Sequence, residues 1–191
     1  MSSNVLKAFA ASNLLIETNL RRIQSDYEID LGKDVVRREN FRDLRLQFGL
    51  DIFADSERMS RYYGVFYCIE RQARKIVSDI LSDKFGATWW VDKVPEDIKT
   101  SVAKRMKTDL ESGMAMRSTE PIDYTTFGEV GIILDKFWNQ FSDVFTNRSA
   151  LKKVFTTLNL LRGPIAHNSM FVESEAERFN IVITDWIRLQ K

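Results

Sequence analysis

Residues that interrupt helices are scarce in this chain, because its 191 residues include only three prolines and eight glycines. Proline removes a backbone hydrogen bond inside a helix, and glycine raises the entropic cost of ordering the backbone, so both residues usually mark the ends of elements. The sequence also lacks the alternation of apolar and polar residues that is typical of half-buried strands. It therefore predicts long helices and an all-α fold class.

Apolar residues recur every three or four positions in six segments, which predicts six helices. Gly86 is expected to end the longest of them, because glycine tolerates the positive φ that is common after a helix C-terminus. Ser174 and Glu177 have the spacing of a capping box at the start of the last helix. Residues 27–33 and 114–123 are expected to be loops, and residues 34–53 stay ambiguous. The predicted helices cover residues 4–24, 56–86, 97–112, 126–141, 149–162 and 173–190.

Charge and cysteine content narrow the classes of function. The 28 Lys and Arg residues nearly balance the 27 Asp and Glu residues, so any RNA contact has to come from a local basic patch. A single cysteine excludes an internal disulfide framework, which is typical of a protein of the reducing cytoplasm. One Cys and one His argue against a structural zinc site. No apolar run approaches the roughly 20 residues of a membrane span, so no membrane partner is expected.

The only histidine of the chain, His167, follows Arg162 by five positions, after a leucine-rich helical segment. Imidazole accepts and donates protons near neutral pH, and guanidinium offers a planar fork of donors to phosphate oxygens. On a straight helix these two side chains would point about 140° apart. Because Gly163-Pro164 lies between them, we expect the helix to kink or end there, with His167 on the next turn. The alternative is a surface histidine at the restart of a helix, without a catalytic role.

This arrangement of arginine, four residues and histidine resembles the R-x(4–6)-H signature of the HEPN superfamily. The segment 62–77 resembles the long opening helix of these domains, with Glu70 and Arg74 four residues apart. The resemblance covers about residues 57–191, and residues 1–56 resemble no family that we recognise. Further segments occur in an order similar to that of bacterial HEPN families with a double tryptophan: residues 86–90, 94–110, 124–130, 137–139 and 143–145.

The resemblance implies a HEPN-like bundle of four or five helices over residues 57–191, after an unassigned N-terminal helical extension over residues 1–56. It also implies a homodimer in which two R-x(4–6)-H motifs form one cleft. Many members are metal-independent endoribonucleases of toxin–antitoxin, antiviral-defence or CRISPR systems. The implied partners are therefore RNA and a regulatory or antitoxin protein, with no metal or other cofactor. Other members are inactive modules that bind RNA, nucleotide or a partner protein. Gly163 favours this alternative, because a polar residue usually follows the arginine of the signature.

By this resemblance Arg162 and His167 are the expected catalytic residues. His167 would take the 2′-OH proton of RNA, and Arg162 would stabilise the extra charge on the phosphorane, which leaves a 2′,3′-cyclic phosphate. Asn168, Glu70 and Arg74 are expected to support the site. A helix cap is an equal alternative for Asn168, and a purely structural ion pair four residues apart is the alternative for Glu70 and Arg74.

Several further residues have a possible functional role, and a purely structural role is the alternative for each. Cys68 lies on an apolar helical stripe and is expected in the core. The aromatic pairs Trp89-Trp90 and Phe137-Trp138 could stack on RNA bases, but buried packing is expected for most of these rings. Candidates for RNA phosphate contacts, or else a solvated helix face, are Arg37, Arg38, Arg42 and Arg45. Candidates for an apolar dimer interface, or else for core burial, are Leu158, Leu161 and Ile165.

Overall fold

The computed structural model describes residues 48–191 except residue 114, together with residues 16, 19, 20, 22–24, 26 and 27. The described residues before residue 48 are all helical. This confirms the first predicted helix at those positions up to residue 24, but Tyr27, predicted to begin a loop, is still helical. No proline or glycine lies between residues 24 and 27 to end a helix there. Contacts divide the chain into two units, Met1–Phe53 and Ala54–Lys191, and a domain boundary after residue 56 stays a prediction.

The second unit is all-α, as predicted. The described residues contain no strand, and the one extended pairing among them is an isolated antiparallel bridge between Phe145 and Gln190. This bridge fastens the end of the chain to the segment before the penultimate helix. From residue 50 onward the elements are α1 (Leu50–Phe85), α2 (Trp89–Lys93), α3 (Glu96–Glu111), a 3₁₀ helix (Pro121–Tyr124), α4 (Phe127–Lys136), α5 (Trp138–Phe141), α6 (Arg148–Ala166) and α7 (Glu173–Leu189).

Helix α1 shows how the apolar pattern sets one buried face. It ends before Gly86, whose φ of 78° confirms the predicted terminus. It begins at Leu50, directly after Gly49 and six residues earlier than predicted, because residues 50–55 contain no helix breaker. Cys68 is exposed, so its prediction as a core residue was wrong. It falls on the opposite side of the helix from the buried stripe, which consists of Phe66, Ile69, Ala73, Val77 and Leu81.

Three local features differ from the predictions: one helix is interrupted, one capping box lies elsewhere, and one loop contains the start of a short helix. The helix predicted over residues 126–141 is interrupted at Phe137, whose φ of −104° and ψ of 25° are not helical, so α4 and α5 are separate. The capping box lies at the start of α4, where Thr126 and Glu129 satisfy each other's backbone N–H groups. The capping box predicted at Ser174 was wrong, because α7 begins at Glu173 with Val172 as its N-cap. The predicted loop over residues 114–123 also contains the start of the 3₁₀ helix.

A chain of aromatic contacts joins α1, α4, α6 and α7. The ring centroids of Phe66 and Phe127 lie 5.3 Å apart, and Phe127 stacks on Phe155 at 4.5 Å. Phe155 in turn meets the indole of Trp186 at 5.9 Å. A Cβ atom at Gly131 would lie 2.9 Å from the Phe155 ring, so glycine is what lets α4 approach α6 this closely. Large rings in such contacts contribute much of the apolar burial of a small domain.

The length of α1 raises the question of a membrane span. Its 36 residues are more than the roughly 20 that cross a bilayer. Charged side chains occur throughout it, however, and none of the helices in the described part of the chain is both long enough and apolar enough to cross a membrane.

Candidate active site

Helix α6 does not end at Gly163-Pro164. It runs from Arg148 to Ala166, with Pro164 inside its last turn and His167 as the C-cap residue. The prediction that the helix ends at this pair was therefore wrong, and a kink at the pair stays a prediction. Pro164 lacks the N–H that would bond to the Leu160 carbonyl, but this removes only one hydrogen bond, and the helix is closed beyond it by the bond from the His167 N–H to the Gly163 carbonyl.

The turn after α6 is closed by backbone hydrogen bonds. The N–H of His167 donates to the carbonyl of Gly163 at 3.0 Å, and the N–H of Ser169 donates to the carbonyl of Pro164 at 2.9 Å. Between these residues Asn168 has a φ of 55°. This is the Schellman arrangement, which places a left-handed residue directly after the C-cap, and asparagine tolerates that conformation better than most residues. The position of Asn168 is therefore that of a helix cap.

Arg162 lies in a groove between α1 and the C-terminal turn of α6. The groove has a cavity volume of about 250 Å³. The α6 side consists of Arg162, Ile165 and Ala166, and the α1 side of Tyr63, Phe66, Tyr67, Glu70, Arg71 and Arg74. The structure thus brings Glu70 and Arg74, some 90 residues earlier in the chain, to the same groove as the arginine of the motif.

His167 is not among the described residues that line this groove. Its side chain is exposed at the end of α6, whereas Arg162 is half-buried. Residues five apart on a straight helix point about 140° apart, which agrees with Arg162 lining the groove while His167 does not. One chain therefore places the guanidinium in the groove and the imidazole beside it.

Glu70 and Arg74 form an ion pair on α1, and Arg74 also connects α1 to Thr125. Arg74 donates to Glu70, to the carbonyl of Thr125 at 2.8 Å and to its hydroxyl at 3.4 Å. The two charged side chains are only 14% and 15% exposed, and Thr125 is buried. Arg71, one position after Glu70, donates to Asp123 at 3.2 Å. Both α1 arginines of the groove are therefore held by carboxylates and fix α1 to residues 123–125.

Arg162 differs from these two arginines. Within the part of the chain that the structure describes, its guanidinium has no hydrogen bond or ion pair. An unpaired, half-buried guanidinium keeps its full set of donors for an anion, and its planar fork suits phosphate oxygens.

A second interhelical ion pair, between Arg105 and Glu129, was not identified from the sequence. Arg105 forms a bidentate pair with Glu129, at 2.8 and 2.6 Å, and also donates to the Tyr124 carbonyl at 2.6 Å. Glu129 further accepts from the Thr126 N–H at 2.6 Å. Burial acts to raise the pKa of Glu129, but the hydrogen bonds from Arg105 and Thr126 outweigh it, so the pKa is lowered. The T-x-x-E spacing at residues 126–129 was the available signal.

The other predicted site residues fall outside the groove or outside the described residues. Arg37, Arg38, Arg42 and Arg45 lie outside the described residues. Leu158 and Leu161 are 0% and 2% exposed, so they are core residues, and the prediction that they face a partner was wrong. Ile165 is half-buried and lines the groove. Packing was confirmed for the aromatic pairs, since Trp89 is buried and Trp90, Phe137 and Trp138 pack against the core.

No group of three or more His, Cys, Asp or Glu side chains lies close enough together to hold a metal ion anywhere in the described residues. The groove offers one carboxylate, and Arg74 already occupies it. What the arrangement provides is positive charge and aromatic surface beside an exposed imidazole.

Comparison with known proteins agrees with the motif and the fold. The model of one family, described as Swt1-like HEPN, matches residues 65–189. The match includes the groove residues from Phe66 onward, the Arg162/His167 motif and all of α7. A search of curated proteins found no match, and neither did a search of solved structures. The matched segment covers well over half of the chain, and the chain belongs to the Swt1-like HEPN family.

Proposed function

We propose that this chain is a metal-independent endoribonuclease of the HEPN type that cleaves RNA through its own 2′-OH. The observation that carries the proposal is the unpaired Arg162 guanidinium in a groove beside the exposed His167. Two arginines of the same groove already have carboxylate partners, so Arg162 is available to a phosphodiester. The family supports an assignment to nucleic-acid chemistry, since nuclease activity is common in the superfamily.

The proposed reaction is a transesterification. The 2′ oxygen of one nucleotide attacks the adjacent phosphorus while its proton passes to an imidazole, and the 5′ oxygen of the next nucleotide leaves with a proton from a second group. The products are a 2′,3′-cyclic phosphate and a free 5′-hydroxyl. Arg162 stabilises the additional negative charge on the phosphorane. DNA lacks the 2′-OH and cannot react by this route.

A homodimer completes this chemistry. Each chain has one histidine, whereas the reaction uses one group to accept a proton and another to donate one. A two-fold axis beside His167 would bring both imidazoles and both Arg162 guanidinia to one cleft, and two-fold dimers are the commonest oligomers. His167 is exposed and does not line its own groove, so its imidazole is available to such a shared site.

The remaining predicted residues take supporting roles in this proposal. Glu70 and Arg74 hold the α1 wall of the groove against residue 125, and Asn168 sets the turn that carries His167. The arginines at residues 37–45 would add phosphate contacts. A cytoplasmic toxin or defence effector, controlled by a regulatory or antitoxin protein, is the biological role that suits such a nuclease.

One observation favours a second function. Gly163 occupies the position where the superfamily usually has a polar residue. If no dimer brings Arg162 and His167 to one phosphodiester, the groove would bind RNA, nucleotide or a partner protein without cleaving it.

Cleavage of end-labelled single-stranded RNA in excess EDTA tests the proposal. We expect cleavage that survives chelation, yields 2′,3′-cyclic phosphate ends by mass spectrometry, and fails on the same sequence made with 2′-deoxynucleotides. An Arg162→Ala/His167→Ala preparation, purified in parallel, controls for contaminating nuclease. Activity restored only by magnesium or manganese would contradict the proposal, and binding without cleavage would support the second function.

A further inference from the structure

Two exposed tyrosines form the outer end of the groove on α1. Tyr63 and Tyr67 are 58% and 52% exposed, and their ring centroids lie 6.3 Å apart with the planes tilted by 34°. Between them, Phe66 is only 4% exposed, so this part of α1 is firmly packed and the tyrosines are not exposed by fraying. Neither phenol has a hydrogen bond within the described residues.

The spacing of these residues places them in one row along α1. Residues three or four apart share a helix face, so Tyr63 and Tyr67 continue into Glu70, Arg71 and Arg74 on the same side. The row therefore changes from aromatic to positively charged as it passes the C-terminal turn of α6. Arg162 faces it from that turn, as the guanidinium without a partner among the described residues.

We infer that Tyr63 and Tyr67 stack on unpaired bases of single-stranded RNA whose phosphate is held by Arg162. The inference rests on the proposed function and names its substrate class. A pair of solvated rings next to a free guanidinium matches a polyanion that also has flat π-faces, which describes a nucleic acid strand. In an A-form duplex the bases are stacked on one another and their faces are covered, so a duplex could not use this surface.

Binding to His167→Ala protein, which leaves the groove intact and removes the proposed proton acceptor, tests the inference. The probe is a fluorescein-labelled hexaribonucleotide, followed by fluorescence anisotropy. Two matched probes are the same strand with abasic sites and the same sequence embedded in a duplex. In this background Tyr63→Leu and Tyr67→Leu remove the rings but keep apolar bulk, and Tyr63→Phe and Tyr67→Phe remove only the hydroxyls.

We expect each leucine substitution to weaken binding of the single strand about tenfold, and the double substitution on the order of a hundredfold, the usual scale for lost base stacking. The phenylalanine variants should bind like the parent. The abasic strand and the duplex should bind the parent protein weakly, and the double leucine variant should no longer distinguish the abasic strand from the intact one. Val65→Ala is the matched control, since Val65 is exposed on the same helix but lies outside the groove.

The outcomes separate this inference from the proposed function. Equal affinity of the parent for intact and abasic strands would overturn the stacking role even if a leucine variant failed to fold, because that comparison needs no substitution in α1. Full binding by the double leucine variant, with full cleavage when the same two substitutions are made in protein that keeps His167, would also overturn it, while leaving the nuclease intact. A parent protein that binds no RNA would refute both.

Discussion

The Arg162 guanidinium lies in the groove between α1 and α6, whereas His167, five residues later, caps the same helix outside the groove's lining. Residues five apart on a straight helix point about 140° apart, and of these two residues only Arg162 lines the groove. In the proposed dimer a two-fold axis brings both His167 imidazoles and both Arg162 guanidinia to one cleft, so that one imidazole accepts a proton and the other donates one.

If two chains share one active site, an inactive mutant subunit should inactivate the wild-type subunit with which it pairs. We expect excess His167→Ala protein, mixed and equilibrated with wild type, to lower activity more than dilution does, because hybrid dimers hold one imidazole where cleavage needs two. Sedimentation velocity of the mixture confirms that subunits have exchanged. Activity that stays proportional to the amount of wild-type chain, or full activity in a monomer, would contradict the shared site.

Removing either proposed catalytic group should abolish most of the activity but leave the stability of the fold nearly unchanged. Arg162→Ala and His167→Ala should each lower the cleavage rate by on the order of a hundredfold or more, the usual scale for losing an oxyanion donor or an acid–base group. Arg188→Ala removes an exposed charge on α7 and serves as the control. Circular dichroism should show native helix content in all three variants. An unfolded variant would mean that the residue is structural.

The helices could be predicted because their signals are local. The long helix α1 and its glycine terminus are both indicated within one stretch of sequence, and both were confirmed. The rule that proline ends a helix failed at Pro164 because that residue lies in the last turn of α6, where only one hydrogen bond is lost. Its effect depends on position, and the position of the helix end was itself the unknown.

The contents of the groove could not be predicted in the same way. Arg162 and Arg74 are 88 positions apart, and only the packing of α6 against α1 brings them to one cavity. The HEPN resemblance pointed to Glu70 and Arg74, but no local pattern shows that Arg74 also holds Thr125. The exposure of Tyr63 and Tyr67 likewise depends on which helices cover α1 and which leave it open.

The assignment of Leu158 and Leu161 to a partner interface was wrong, although the spacing of apolar residues in the sequence already indicates which face of α6 is buried. The buried residues of α6 follow one another at intervals of three or four: Leu151, Val154, Phe155, Leu158 and Leu161. Leu160 falls off this stripe and is 70% exposed. Helical phase, and not proximity to the Arg162/His167 motif, decides which residues of α6 are buried.

Truncation of Leu158 and of Leu160 should change the stability of the protein by very different amounts. Leu158→Ala should lower the free energy of unfolding by about 2–5 kcal/mol, because it leaves a cavity in the core. Leu160→Ala, two residues away and exposed, should change it by no more than about 0.5 kcal/mol. Urea unfolding followed by circular dichroism measures both. Equal losses for the two variants would show that the phase of α6 is wrong.

The Glu129 carboxylate should make stability depend on pH. Its pKa is lowered, because the hydrogen bonds from Arg105 and Thr126 outweigh the opposing effect of burial. A carboxyl group with a depressed pKa stabilises the folded state above the ordinary carboxyl range, and that contribution is lost as the pH falls through the lowered value. Glu129→Gln should therefore reduce stability at pH 7 by on the order of 1 kcal/mol, allowing for partial solvent screening.

The same substitution should matter less in acid, where the wild-type carboxylate also loses its charge. Urea unfolding of both proteins at pH 7 and near pH 3 measures the difference, which should shrink toward the lower pH. Glu111→Gln is the control, because Glu111 is 65% exposed and its contact with Lys107 is 3.6 Å long. It should have little effect at either pH. A Glu129→Gln penalty that is the same at both pH values would mean that shape rather than charge holds α4 to α3.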